Sequence, residues 1–221
     1  MTAPYLYSLQ HCPYAIRARL GLLLAEQSVM VRAVDLRDKP AELLAISEKG
    51  TVPILVLQDE NILPNVVIDE SLDIMLWALT NNDPKNLLYL DNPDALPSML
   101  NFISRSDTEF IPALDKYKQA SRYHDPSLSA YRQGCQKFIA ELEQMLTLHD
   151  YFMGARPSLA DYALLPFIRQ FAKVERKWYL QSPYPRVREW LNNQLQQPLF
   201  TKAMAKFPLW SENQQEFLLG G

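Results

Sequence analysis

The chain holds two cysteines, and only Cys12 stands where a thiol would react. Cys12 immediately precedes Pro13, and proline suits the first turn of a helix because its missing N–H has no partner to lose there. A thiol at such a position faces unsatisfied N–H groups and the positive end of the helix dipole, both of which favour thiolate. Arg17 and Arg19, in the next turns, add positive potential. The chemistry predicted is nucleophilic attack by sulfur. The opposing reading, a small buried hydrophobe, is the commonest fate of an unpaired cysteine. It fits Cys135, which falls on an apolar helical stripe with nothing nearby to activate it. The residue three after Cys12 is Ala15, so no neighbouring thiol can resolve a disulfide, and a one-cysteine mechanism with an external thiol is expected. Tyr7 and Ser8 end the preceding strand and offer hydroxyls as an alternative, although strand-end Tyr and Ser also serve packing and turns. His11 adjoins Cys12, but chain neighbours rarely face each other.

These residues need a sheet with helices packed on it. Tyr5–Ser8 reads as a strand, and 13–27 as a helix with Ile16, Leu20, Leu23 and Leu24 at i, i+4, i+7 and i+8. Residues 28–35 alternate like a strand, and Pro40 opens a short helix through Glu48 that Gly50 stops. Residues 54–57 and 66–68 read as strands joined by a turn around 59–61, and 70–79 as a closing helix. The order β-α-β-α-β-β-α implies a mixed sheet, an α/β domain over residues 1–80. Residues 81–96, rich in Pro, Asn and Asp, read as a linker. From 97 to 221 helical spacing replaces strand patterns, through Met99, Ile103, Phe110 and Leu114 and again through Cys135, Phe138, Leu142 and Leu146, so an all-α domain is expected. Within it, Ser158 and Asp161 resemble a capping box with Asp in place of Glu. They open Leu159–Val174, apolar nearly all round and therefore the expected buried central helix. Pro185 opens another.

Composition narrows the class. A chain of 221 residues at 48% apolar can bury a real core. Its 22 basic and 25 acidic residues, net charge −3, leave no cationic surplus for a general nucleic-acid binder. Sixteen prolines, 6 glycines and 11% aromatics exclude collagen-like and low-complexity classes. Two cysteines cannot build a disulfide framework or a multi-cysteine zinc site, and His11, His124 and His149 show no ligand spacing, so no metal is expected. No secretory signal is legible, and no apolar run approaches about 18 residues. The expectation is a cytoplasmic protein in a reducing compartment, without nucleic-acid or membrane partners.

Cys12-Pro13-Tyr14-Ala15, followed by Arg17 and Arg19, resembles glutaredoxins and the cysteine-type glutathione S-transferases, the omega class above all. Thr51-Val52-Pro53 looks like that superfamily's turn before the third strand, where the proline is cis. Asp69-Glu70-Ser71 resembles its signature opening the third helix, and Lys39 matches the lysine of the omega pattern. Gly154, Ser158, Ala160 and Asp161 are similar to the folding motif of its second domain, and the segment from Tyr184 to Leu191 to the helix that follows. These features run along nearly the whole chain in order. One departure is the stretch 59–67, longer than usual, which points to an insertion in the hairpin.

The resemblance implies a thioredoxin-like N-terminal domain, an all-α C-terminal domain, and glutathione as cosubstrate. Val52, beside Pro53, would offer backbone groups to the cysteinyl part like an added strand. Ser71 and helix N–H groups would meet the γ-glutamyl carboxylate, Glu70 the α-amino group, and Lys39 a carboxylate. Taken alone, Glu70-Ser71 reads as a helix cap and Lys39 as a solvated charge; Lys39 stays open between the two. The implied activity is a glutathione-dependent thiol-disulfide oxidoreductase, a thiol transferase acting in deglutathionylation. Its nucleophile would be Cys12 and its second substrate a disulfide. The alternatives are conjugation of glutathione to an electrophile, assisted by Tyr7 or Ser8, and a non-catalytic interaction protein on the same scaffold. The sequence leaves monomer and homodimer open.

Overall fold

The expected strands pair into one mixed sheet. In the computed structural model, which describes residues 3–59 and 62–219, Tyr5–Ser8 (β1) leads to Pro13–Leu24 (α1), Val29–Ala33 (β2), Ala41–Ile46 (α2), Ile54–Asp59 (β3), Ile62–Ile68 (β4) and Ser71–Asn81 (α3). β1 runs parallel to β2 with Tyr5 opposite Met30, a pairing that requires a crossover, which α1 supplies. β1 is antiparallel to β3 with Leu6 opposite Leu55. β3 and β4 form an antiparallel hairpin whose register shifts between Leu57 and Asp59. Most of the stretch expected to be an insertion, 59–67, therefore lies within the two strands; part of the expected turn, 60–61, lies outside the described residues.

α1 is buried nearly all round, from Ala15 to Leu24, and α3 packs directly on it. Gly21 permits that approach: a Cβ there would meet the Met75 Cα of α3 at 2.7 Å. Gly21→Ala must therefore push the two helices apart, and we expect a loss of about 1–3 kcal/mol, as for overpacked cores. Denaturant unfolding would read it. A variant as stable as wild type would show that the packing relaxes freely.

After α3 come the helices Ala95–Arg105 (α4), Ile111–Tyr123 (α5), Leu128–Leu148 (α6), Leu159–Val174 (α7), Arg176–Gln181 (α8), Pro185–Gln196 (α9), Pro198–Ala203 (α10) and Trp210–Asn213 (α11), with a π turn over Ser106–Phe110 joining α4 to α5. The chain divides into two compact units, Asn86–Gln196 and the remainder. This corrects the extent of the second domain expected over 97–221. The segment from Gln197 onward belongs with the sheet, and Phe217–Leu219 is a strand (β5) antiparallel to β2, with Val31 opposite Phe217. Three residues are too few to show strand periodicity; the open β2 edge, with N–H and C=O groups to satisfy, makes the segment extended. Arg32 secures it, 2.6 Å from Glu216 and stacked 3.7 Å over Tyr5 and 4.4 Å over Trp210.

In the second unit, the end of the expected linker is packed: Leu87 and Leu88 are buried, the Leu87 carbonyl accepts from Leu159 N–H at 2.9 Å, and Tyr89 donates to the Arg156 carbonyl at 2.5 Å. α7 is the buried helix expected, and it carries Pro166 in its interior. Ser158 and Asp161 form the capping box, and Asp161 also accepts from Phe152 N–H at 3.1 Å and Trp190 Nε1–H at 3.1 Å. No helix among the described residues is long and apolar enough to cross a membrane.

Candidate functional site

Because Pro13 begins α1, Cys12 is the residue just outside the helix, extended at φ −67° and ψ 123°, with its carbonyl accepting from Ile16 N–H at 2.9 Å. The side chain is half-buried against the sheet's apolar cluster of Tyr5, Tyr7, Val52 and Ile54. Its Sγ lies 3.8 Å from the Val52 carbonyl oxygen. The Val52–Pro53 peptide is cis, the conformation the resemblance implies. Across the same space α3 begins: Glu70 is its N-cap, and Ser71, 3% exposed, its first residue. A groove of about 380 Å³ brings together Cys12, Val52, Pro53, Glu70 and Ser71, with Tyr14, Leu36, Thr51 and Asp69 completing its walls. Every expected site residue is there except Lys39. Lys39 is exposed and lies over Gly50, where a Cβ would meet its Nζ at 3.2 Å.

The cation that does reach the groove's acidic side is Lys49, 2.6 Å from Glu70 and 3.4 Å from Asp69. Its hydrogen bond to Glu70 holds its ammonium above the ordinary value. Asp69 also accepts from the Ser47 hydroxyl at 3.4 Å. Sequence reading had no means to single out Lys49. The pair spans 21 positions, and a lysine in a Ser-Glu-Lys-Gly turn looks like any solvated charge.

Arg17 and Arg19, expected as nearby positive potential, are both buried, at 1% and 2% exposure. Arg19 is a clamp. It donates to the Leu9 carbonyl at 3.2 Å, the Gln10 carbonyl at 2.7 Å, the Ala203 carbonyl at 2.6 Å, and the Ser8 hydroxyl. It thereby fixes the loop that delivers Cys12 to the helix. Burial draws its pKa down to about 10, against the opposing influence of Cys12, so it keeps its charge at neutral pH.

The alternative hydroxyls are built into other work. Tyr7 is fully buried, accepts from Arg32 at 3.1 Å, and has its phenol pushed up, chiefly by burial. Ser8 is held by Arg19. Neither lines the Cys12 groove. Ser8 and the exposed His11 instead line a second cavity of about 620 Å³, walled by Val31, Phe207 and Leu209. Cys135 is buried in α6, and burial alone pushes its thiol up to about 12, as its place on an apolar stripe predicts. No group of three or more potential metal ligands occurs among the described residues.

A thioredoxin-like sheet unit followed by a helical unit, with a cysteine at the start of the first helix, defines the architectural class. Residues 6–86 match the glutathione S-transferase N-terminal domain family and residues 125–193 the C-terminal domain family. The chain belongs to the glutathione S-transferase superfamily. It is 29% identical over 218 residues to pyrimidodiazepine synthase of Drosophila melanogaster, covering 96% of this chain and 84% of that one. It is 24% identical over 196 residues to glutathione S-transferase omega-1 of Mus musculus, covering 87% and 77%. A solved glutathione transferase family member from Pseudomonas fluorescens, with two glutathione bound, superposes with a TM-score of 0.79 at 17% identity, covering 91% and 92%.

Proposed function

We propose that the protein is a glutathione-dependent thiol-disulfide oxidoreductase with Cys12 as its one working thiol. The observation that carries this reading is the shared groove. A sulfur at a helix N-terminus sits 3.8 Å from the Val52 carbonyl, and the start of α3 lines the same space. The Cys12 thiolate attacks the glutathione sulfur of a mixed disulfide, forming a Cys12–glutathione disulfide and expelling the other thiolate, which takes up a proton. The thiolate of a second glutathione then attacks the bound glutathione sulfur. Oxidised glutathione leaves and Cys12 is regenerated as thiolate. Helix N–H groups make Cys12 a stable leaving group in that second step.

The γ-glutamyl end of glutathione is a zwitterion, and the groove presents a complementary pair. Glu70 meets the ammonium, while the N–H groups of α3, the Ser71 hydroxyl and Lys49 favour the carboxylate. Lys39 does not line the groove, so no contact to glutathione is assigned to it. The hydroxyl-assisted conjugation reading has weaker support, since Tyr7 and Ser8 are buried in other hydrogen bonds.

The test sets the mixed disulfide of glutathione and cysteine beside a conjugation assay with a chloronitrobenzene, both at millimolar glutathione. We expect turnover of the disulfide and background conjugation. The reverse pattern would establish the conjugation reading, and failure to bind glutathione at all would favour a non-catalytic role. Glu70→Gln should weaken glutathione binding by roughly 10- to 150-fold, the equivalent of about 1.5–3 kcal/mol for a hydrogen bond to a charged group. Unchanged affinity in a folded Glu70→Gln protein, measured by calorimetry, would remove that assignment.

A further inference from the structure

We propose that Arg19 is the positioning residue of the Cys12 chemistry: it ties the loop between β1 and α1 to the end of α10, and it holds a buried, unneutralised positive charge for the thiolate. The inference rests on the reading of Cys12 as the working thiol. Arg19 grips the loop at three successive residues, donating to the Ser8 hydroxyl, to the Leu9 carbonyl at 3.2 Å and to the Gln10 carbonyl at 2.7 Å. The Leu9 carbonyl also accepts the Cys12 N–H at 3.3 Å, so the guanidinium and the Cys12 backbone share an acceptor. On the far side Arg19 donates to the Ala203 carbonyl at 2.6 Å, and the Gln10 side chain donates through Nε2 to the Met204 carbonyl at 3.1 Å. These carbonyls stand at the C-terminus of α10, where a helix has no partners of its own to give them. All of these residues belong to one compact unit.

Hydrogen bonding alone does not account for an arginine at this place. Arg32, Arg105 and Arg132 each hold a carboxylate, at 2.6, 2.8 and 2.7 Å. Arg19 is more deeply buried than any of them, and its acceptors are all neutral oxygens. Among the described residues no carboxylate pairs with it, and the charge that bears on it is the Cys12 thiolate. A buried cation without a counter-ion is costly. The attraction is mutual: a thiolate that favours the guanidinium is itself favoured by it. The thiolate thus stands where the other arginines have a carboxylate.

The other groups around Cys12 supply little positive charge. Tyr5 and Tyr7 of β1 belong to the cluster its side chain packs against, and phenols bring no cation. Asp69 and Glu70 line the groove with Tyr14, and carboxylates oppose a thiolate. Lys49 is engaged by both of those carboxylates, at 3.4 and 2.6 Å. His11 is exposed to solvent. Arg17 is the other buried cation of α1, and the experiment separates it from Arg19.

The measurement is the pH midpoint for alkylation of Cys12 by iodoacetamide in the full chain, read by mass spectrometry of the Cys12 peptide. Arg19→Met should raise that midpoint by about one unit or more, slowing alkylation near about pH 6.5 roughly tenfold, the low end of what a nearby opposite charge does. Arg19→Lys keeps the charge and loses the planar fork. Its midpoint should stay within about half a unit of wild type, while turnover of the glutathione–cysteine disulfide falls about tenfold at unchanged KM for glutathione, because the loop is held less firmly. A folded Arg19→Met protein with the wild-type midpoint would overturn the proposal and leave the ionisation to Arg17 and the helix N–H groups. Full turnover in Arg19→Lys would overturn the positioning role. Should Arg19→Met fail to fold, salt decides on the wild-type protein. A buried guanidinium is weakly screened, so about 0.5 M sodium chloride should move the midpoint by less than about 0.3 unit. A climb to the ordinary value of about 8.5 would assign the charge to exposed cations and overturn the proposal. If the wild-type protein reduces no disulfide, the thiol-transfer reading fails by itself, and the alkylation midpoints still decide what Arg19 does to Cys12.

Discussion

Cys12→Ser should abolish glutathione-dependent disulfide reduction, leaving on the order of a thousandth of wild-type turnover or less, because serine can neither form the mixed disulfide nor ionise at neutral pH. The variant should still bind glutathione. The Val52 backbone, Glu70 and Ser71 line the groove independently of the sulfur, and the replacement is nearly isosteric in a half-buried position. Cys135 cannot substitute. It is fully buried in α6, and burial pushes its thiol up to about 12, far from a reactive thiolate at neutral pH. Incubation with oxidised glutathione should therefore add one glutathione, on Cys12, and a thiol reagent should label Cys135 only after the protein unfolds. Two results would sink the mechanism: reductase activity surviving in Cys12→Ser, or mass spectrometry placing glutathione on Cys135 and never on Cys12.

What the sequence disclosed, and what it withheld, divides along a physical line. Local rules located Cys12: a proline at the first helical position says where the helix starts, and the residue before it inherits the exposed N–H groups. Periodicity found β1 to α3 and the long helices, because each has a face to bury. Pairings across the fold were invisible. β5 is three residues whose conformation comes from an unpaired β2 edge. Lys49 acquires meaning only from Glu70 and Asp69, far along the chain. Arg19 read as a source of positive potential near Cys12, and the structure makes it a buried clamp whose acceptors include Ala203, a residue 184 positions away. Lys39 shows the converse: a motif match drew it toward the site, and the backbone left it outside the groove.

Asp161→Ala should be the most damaging change outside the Cys12 groove, with an expected loss of about 3–5 kcal/mol, the range for breaking a buried hydrogen-bonded charge network. Asp161 is 1% exposed and sits at the third position of α7. Its Oδ2 accepts from the Ser158 N–H at 2.9 Å and the Ser158 hydroxyl at 2.7 Å. Its Oδ1 accepts from Phe152 N–H at 3.1 Å and Trp190 Nε1–H at 3.1 Å. One carboxylate therefore closes the start of the central helix, anchors the loop before it, and ties both to α9. Burial raises the Asp161 carboxyl to about 6, against the four donors that favour the anion, so it is ionised at neutral pH and all four acceptor contacts are charge-assisted. Alanine leaves four buried donors facing a void. Asparagine, in Asp161→Asn, keeps the shape but has one acceptor oxygen. With that oxygen turned to Phe152 and Trp190, its amide N–H₂ opposes the Ser158 N–H, so at least one backbone donor is orphaned. Asp161→Asn should accordingly lose less than Asp161→Ala, about 1–3 kcal/mol, the cost of one buried unsatisfied donor. Ser158→Ala, which keeps the backbone N–H contact and removes only the hydroxyl, should cost about 0.5–2 kcal/mol, as lost N-caps do. Chemical denaturation at pH 7 should rank the three in that order. Asp161→Ala unfolding at the wild-type denaturant midpoint would show that the network is dispensable and that apolar packing of α7 alone holds the unit.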